Sequence, residues 1–202
     1  MANYFCILPV PDAHIDFIHE HPQTLSDYLN GEAPDFKPAI APKPSLWQRI
    51  TGDVPVAPAP PAIPTDWPTS ECQLIGKAVN HRNVDLFHLI LTGSTEFVSG
   101  SGAFFQTWLE SGSTRQHNAV DLTHVNEDFA FKSGQVPELA ALLSQVNMDD
   151  VKLRFSEWLH SQGESNDVTD EDCTEIFEEF KTFAATANLA SQQTRGLIWI
   201  SC

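Results

Sequence analysis

Residues 169–200 read TDEDCTEIFEEFKTFAATANLASQQTRGLIWI, and the stretch changes period part-way along. Cys173, Ile176, Phe177, Phe180, Phe183, Ala184 and Ala187 recur at steps of one, three and four, which puts them on one side of a helix. Thr169 is placed to cap that helix, and Asp170, Glu171 and Asp172 follow where the helix dipole favours negative charge. Gly196 then releases Leu197-Ile198-Trp199-Ile200, branched and aromatic residues that predict a strand. At the other end, Tyr4-Phe5-Cys6-Ile7-Leu8 is a strand of the same kind, ended by Pro9. Strands at both termini with helices between them predict an α+β fold. The expectation is a single compact domain, several helices packed on a small sheet that includes the N- and C-terminal strands.

The intervening chain fills in the helices. Asp12 is expected to cap one that faces Ile15 and Ile18 inward. Pro22 suits the first turn of a second, which carries Leu25, Tyr28 and Leu29 and stops at Asn30-Gly31. The run 83–91 is apolar around most of its circumference and predicts a buried helix ended by Thr92-Gly93. A short helix is expected at 103–110, and a strand within 119–125 inside an otherwise loop-like stretch. Pro137 opens a helix with Leu139, Leu142, Leu143 and Val146 at helical spacing. Asp149 and Asp150 begin the next, whose stripe is Val151, Phe155, Trp158 and Leu159.

Ten of the fourteen prolines lie between Pro34 and Pro68. Proline fixes φ and removes a backbone donor, so this stretch is expected to be extended and on the surface, interrupted by one short helix near 45–50. Phe36, Ile40, Leu46, Trp47, Ile50 and Trp67 are expected to anchor it to the domain. Pro55, Pro58, Pro61 and Pro64 repeat a PxxP spacing, but the flanking Arg or Lys of a typical ligand for proline-binding domains is missing. A proline-rich surface insertion at about 33–70 is the expectation.

Composition narrows the function classes. Hydrophobic residues make up 42% of the 202, with thirteen Phe and five Trp, enough to bury a core. Twenty-seven acids against eleven bases give a formal net charge of -16. That charge repels phosphate backbones and anionic membranes and favours basic partners, so neither nucleic acid nor membrane is expected as a partner. Cys6, Cys72, Cys173 and Cys202 are scattered, without the short spacings of a disulfide framework or zinc site, and free thiols in the cytoplasm are expected.

Motif chemistry is sparse. His14, His19 and His21 do not share the three- or four-residue step of metal-binding helices, so no metal is expected. There is no GxSxG elbow, and Ser99-Gly100-Ser101-Gly102 lacks the lysine of a phosphate-cradling loop. No catalytic residue and no cofactor are expected. The acids from Glu164 to Glu179 are more informative: eight in sixteen residues, with no intervening base. Asp167, Asp170, Glu171, Glu175, Glu178 and Glu179 are the candidate partner-binding residues, expected on the helix face opposite Ile176, Phe177 and Phe180.

Several segments in order resemble the YfbM-like family of bacterial proteins of unknown function. They are the N-terminal strand and helix, Lys77 followed by the helix ending Leu91-Thr92-Gly93, the unit 136–159 with its Arg154-Phe155 step, and the long helix leading to the closing strand. The chain departs from that pattern in its long proline-rich 33–70 and in lacking a tryptophan shortly after the lysine. The resemblance implies a compact α+β fold and brings no activity with it. Charge, acidic run and missing motifs together point to an immunity- or antitoxin-like protein. It would neutralise a basic toxin or secreted effector domain by direct binding. The alternative is an enzyme or small-ligand-binding protein whose site is not visible in sequence.

Overall fold

The two ends of the chain meet in the middle of a sheet. The computed structural model describes residues 3–37, 43, 45, 47, 57–79, 86, 89–91, 119–123, 128–164 and 168–201. Strand β1 (Asn3–Val10) pairs antiparallel with the C-terminal strand (Gly196–Ser201), in a register that sets Ile7 opposite Trp199 and Val10 opposite Gly196. Three further strands complete the sheet: β2 (Ile75–Val79), β3 (Val120–Asp121) and β4 (Phe129–Phe131). With the C-terminal strand as β5, the order is β2-β1-β5-β4-β3, and every neighbouring pair is antiparallel. The α+β expectation holds, including the pairing of the termini. The strand expected within 119–125 is β3, whereas β4 was not anticipated.

Both faces of the sheet are covered, which explains why 197–200 carries no polar alternate. Ile7, Phe131, Leu197 and Trp199 point into one core, and Val10, Ala130, Ile198 and Ile200 into the other. The first core lies under three helices, α3 (Val136–Gln145), α4 (Met148–Ser161) and α5 (Asp170–Gln192). Helix α5 packs against both of the others, and its Phe183 ring meets Trp199 edge-on at 5.2 Å. Leu86, Leu89 and Ile90 are helical and buried in the same core, as the run 83–91 predicted. Thr169 caps α5 as expected, its Oγ1 accepting from Asp172 N at 3.1 Å. Asn147 caps α4 in the same way, accepting from Asp150 N at 3.0 Å.

The second core is closed by helix α1 (Asp12–Glu20), a 3-10 turn (Pro22–Thr24) and α2 (Leu25–Asn30). Asp12 is not the cap it was expected to be. Pro11 occupies that position in an extended conformation, and Asp12 is already helical. Its carboxylate instead accepts from Ser133 N at 2.8 Å and Ser133 Oγ at 2.7 Å, tying α1 to the turn after β4.

The proline-rich chain returns across α1 and α2. Trp67 Nε1 donates to Glu32 O at 2.7 Å, and Cys72 N donates to Leu29 O at 2.8 Å. The Trp67 ring packs edge-on against Tyr28 at 4.8 Å and Phe17 at 5.4 Å. Phe36 sits 6.0 Å from Phe17, also edge-on. Trp47, expected as another anchor, is 75% exposed, whereas Phe36 and Trp67 pack on the domain as expected. Ile40, Leu46 and Ile50, the expected helix at 103–110 and the turn at 99–102 lie outside the described residues. Among those described, no helix is long and apolar enough to cross a membrane.

Two glycines set how closely these layers approach. Gly31 ends α2 at φ +70°, and a Cβ there would collide with the Ser70 backbone. A Cβ on Gly196 would meet Ile15 Cδ1 and come within 2.6 Å of Phe131 O. Gly31→Ala and Gly196→Ala should each destabilise the protein by about 1–3 kcal/mol or more, as overpacking does. Gly134→Ala, where nothing lies within 4 Å of the new methyl, should be neutral or slightly stabilising. Urea denaturation of the three variants would check this ordering.

Candidate functional site

The acidic face is built by the first half of α5. Asp170, Glu171, Thr174, Glu175 and Glu178 border one open depression of about 510 Å³. Spacings of three and four residues keep the acids together there. Two of them are partly neutralised at home: Asp170 pairs with Lys152 at 2.6 Å, and Glu178 with Lys181 at 2.8 Å. The Lys152 ammonium holds the Asp170 carboxyl below its usual range, through a hydrogen bond first and charge second. Both side chains are exposed, so the pair adds little to stability. Glu171 and Glu175 form no ion pair among the described residues and project unneutralised charge.

Glu179 does not belong to this face. Only 5% of it is exposed, and it lines a cavity of about 230 Å³ between α4 and α5 with Leu86, Phe155, Trp158 and Ile176. The reason is in the spacing. Glu179 follows Ile176 by three residues and precedes Phe183 by four, so all three share a side of the helix. Because α5 is covered by α3 and α4 together, its buried arc is wider than one apolar stripe. Asp167 lies outside the described residues. The structure thus brings Asp170, Glu171, Glu175 and Glu178 around one depression, while Glu179 is buried in the neighbouring cavity that Glu175 also borders.

The three N-terminal histidines go to three different places. His19 Nδ1 lies 2.7 Å from Asp121 O, and the His21 ring packs between Phe17 and Phe36. His14 is buried, with Nε2 2.8 Å from Thr65 O and Nδ1 3.0 Å from Tyr28 Oη. A carbonyl can only accept, so Nε2 carries a proton, and in neutral His14 the Tyr28 hydroxyl donates to Nδ1. Among the described residues no group of three or more His, Cys, Asp or Glu could hold a metal ion.

His14 and Tyr28 also form the floor of a cleft of about 440 Å³ on the α1–α2 side of the sheet. Its walls come from the end of β1, the chain at 66–73 and Arg195. Burial pushes the Tyr28 phenol well above its ordinary 10.0, and the Cys72 thiol beside it adds to the rise. Burial raises Cys72 as well, and Cys72 Sγ lies 3.4 Å from Tyr28 O. Sequence reasoning missed this cleft, since its residues are spread from position 8 to 195. One signal was readable: Arg195 is the sole base after Lys181.

No family model matches the chain, and no curated protein matches it. One similar solved structure is that of YfbM from Escherichia coli, a protein of unknown function. The alignment covers 100% of both chains at 9% sequence identity, with a TM-score of 0.47.

A phenol whose folded-state pKa is raised contributes stability that is complete below its unfolded value of about 10 and lost as pH climbs above it. Tyr28→Phe removes that titration together with the hydroxyl–imidazole bond. The variant should lose about 1 kcal/mol at pH 8. Between pH 9 and 11 its stability should fall less steeply than that of the wild type. Urea midpoints measured across that range test both effects.

Proposed function

We propose that this chain is an immunity- or antitoxin-like protein that holds a basic toxin enzyme or effector domain against the acidic face of α5. The observation that carries the reading is the cluster of Asp170, Glu171, Glu175 and Glu178 around one depression, on a chain of net charge -16. Like charges crowded on one rigid surface cost folding energy, and they raise the rate at which a complementary surface is captured. Helix α5 suits the purpose because α3, α4 and the sheet fix its orientation, so the carboxylates are arranged before any partner arrives. The reading takes the chain for a cytoplasmic YfbM-like bacterial protein, on the sequence resemblance and the scattered free cysteines. Its proline-rich stretch is then a surface insertion.

Glu171 and Glu175 are the residues to change, since reversing them breaks no ion pair seen among the described residues. A partner captured from lysate of the native host would be purified and its binding measured across a salt series. Wild-type association should slow steeply with salt. Glu171→Lys with Glu175→Lys should reduce the low-salt association rate about tenfold or more, with the fold intact by circular dichroism. Equal association rates for variant and wild type at low salt would move the interface off this face.

A second reading, a small-ligand-binding protein, is favoured by the cleft at Tyr28 and Arg195.

A further inference from the structure

The cleft on the α1–α2 side is lined by charges of both signs that leave one another alone. Arg195 stands on one wall, and Asp66 and Glu71 on the other chain segment that borders it. None of the three makes an ion pair or side-chain hydrogen bond among the described residues. The chain has more than twice as many acids as bases, and Arg195 is a base that borders this cleft without an ion pair among the described residues. Arginine pairs readily with carboxylates, and this one is exposed and open to a carboxylate from outside the chain.

The backbone that carries these side chains is fixed. Arg195 follows the end of α5, where Arg195 N donates to Ala190 O at 2.9 Å and Thr194 N to Ser191 O at 3.1 Å. That closure puts Thr194 at φ 55°, a left-handed conformation costly for a β-branched residue. Asp66 is left-handed too, at φ 62°, directly after Thr65, whose carbonyl receives the His14 N–H. Among the described residues these are the two non-glycine residues with positive φ. One lines the cleft and the other directly precedes Arg195. Backbone strain of this kind collects where a site must be held in shape. Glu71 is steadied by its neighbour Cys72, whose amide is bound to Leu29 O.

We propose that this cleft binds a small zwitterion of the α-amino acid class, its carboxylate on Arg195 and its ammonium group toward Asp66 and Glu71. A guanidinium offers a carboxylate two parallel hydrogen bonds, and a carboxylate suits an ammonium ion. Leu8, Pro9 and Pro11 supply an apolar wall for the ligand's side chain. The volume of about 440 Å³ falls in the range of ordinary small-molecule sites. The site lies across the sheet from the acidic depression on α5 and does not depend on it.

Isothermal titration of the full chain against the standard α-amino acids, with the N-acetyl and amide derivatives of any that bind, tests the assignment. At least one free amino acid should bind, and blocking either end should weaken it about tenfold or more. Arg195→Gln should make the free acid and its amide bind alike, because only the carboxylate contact is lost. Asp66→Asn keeps a residue that tolerates left-handed backbone and should weaken the free amine without changing the preference for a free carboxylate. Saturating ligand should slow alkylation at Cys72, read by peptide mass spectrometry. Absence of binding by every amino acid overturns the proposal, as does binding that Arg195→Gln leaves unchanged. Glu171→Lys with Glu175→Lys should leave this binding intact, which separates its outcome from that of the partner-binding reading.

Discussion

The pairing of β1 with β5 is the constraint on which the rest of the molecule depends. It joins the two ends of the chain, and the entropy of closing so long a loop grows only logarithmically with its length. The pairing is therefore affordable, but its register has little freedom. Ile7 and Trp199 face the core under α5, while Ile198 and Ile200 face the core under α1 and α2. A slip of one residue would exchange Trp199 with an isoleucine between cores of different shape. The edge-on contact with Phe183 would be lost at the same time. With two covered faces, an error in register is penalised twice.

From that centre the other contacts follow in order. Gly196 lets the start of β5 pass close to Ile15 of α1 and to the Phe131 carbonyl of β4. The Asp12 carboxylate then fastens α1 to Ser133, and Lys132 reaches Asp16 at 2.5 Å on the same side. Gly31 gives the returning chain room to lie on the end of α2, where Trp67 and Cys72 bind two backbone carbonyls. The described part of the proline-rich stretch, which contains no strand, is thus held by side chains and by the ends of other elements. Prolines lose little entropy on ordering, which lowers the cost of holding such a stretch in place.

Helix α5 connects the two candidate surfaces. Its N-terminal half presents unneutralised carboxylates to solvent, and the turn at its C-terminal end supplies Arg195 to the cleft across the sheet. The same helix carries the long apolar stripe of the larger core, so both surfaces inherit its rigidity. Exposed ion pairs with Lys152 and Lys181 temper the acidic face without cancelling it. Charges so exposed act over roughly a Debye length, about 8–10 Å at physiological salt, and serve approach more than stability.

Periodicity and punctuation in the sequence determined most of the elements: the caps at Thr169, the stop at Gly31, the stripe from Cys173 to Ala187 and both terminal strands. These are local signals, written in residues within one or two turns of each other. The spacing that buries Glu179 is also present in the sequence, hidden among the acids around it. Tertiary structure alone decided that Asp12 would bind Ser133 and not cap its own helix, and that the short strand Phe129–Phe131 would find a place beside β5. It alone brought His14, Tyr28, Asp66, Cys72 and Arg195 to one cleft. Hydrogen-bond partners more than 100 residues apart and cavities between layers depend on how elements pack, and packing is decided by shape over the whole chain, which no window along the sequence contains.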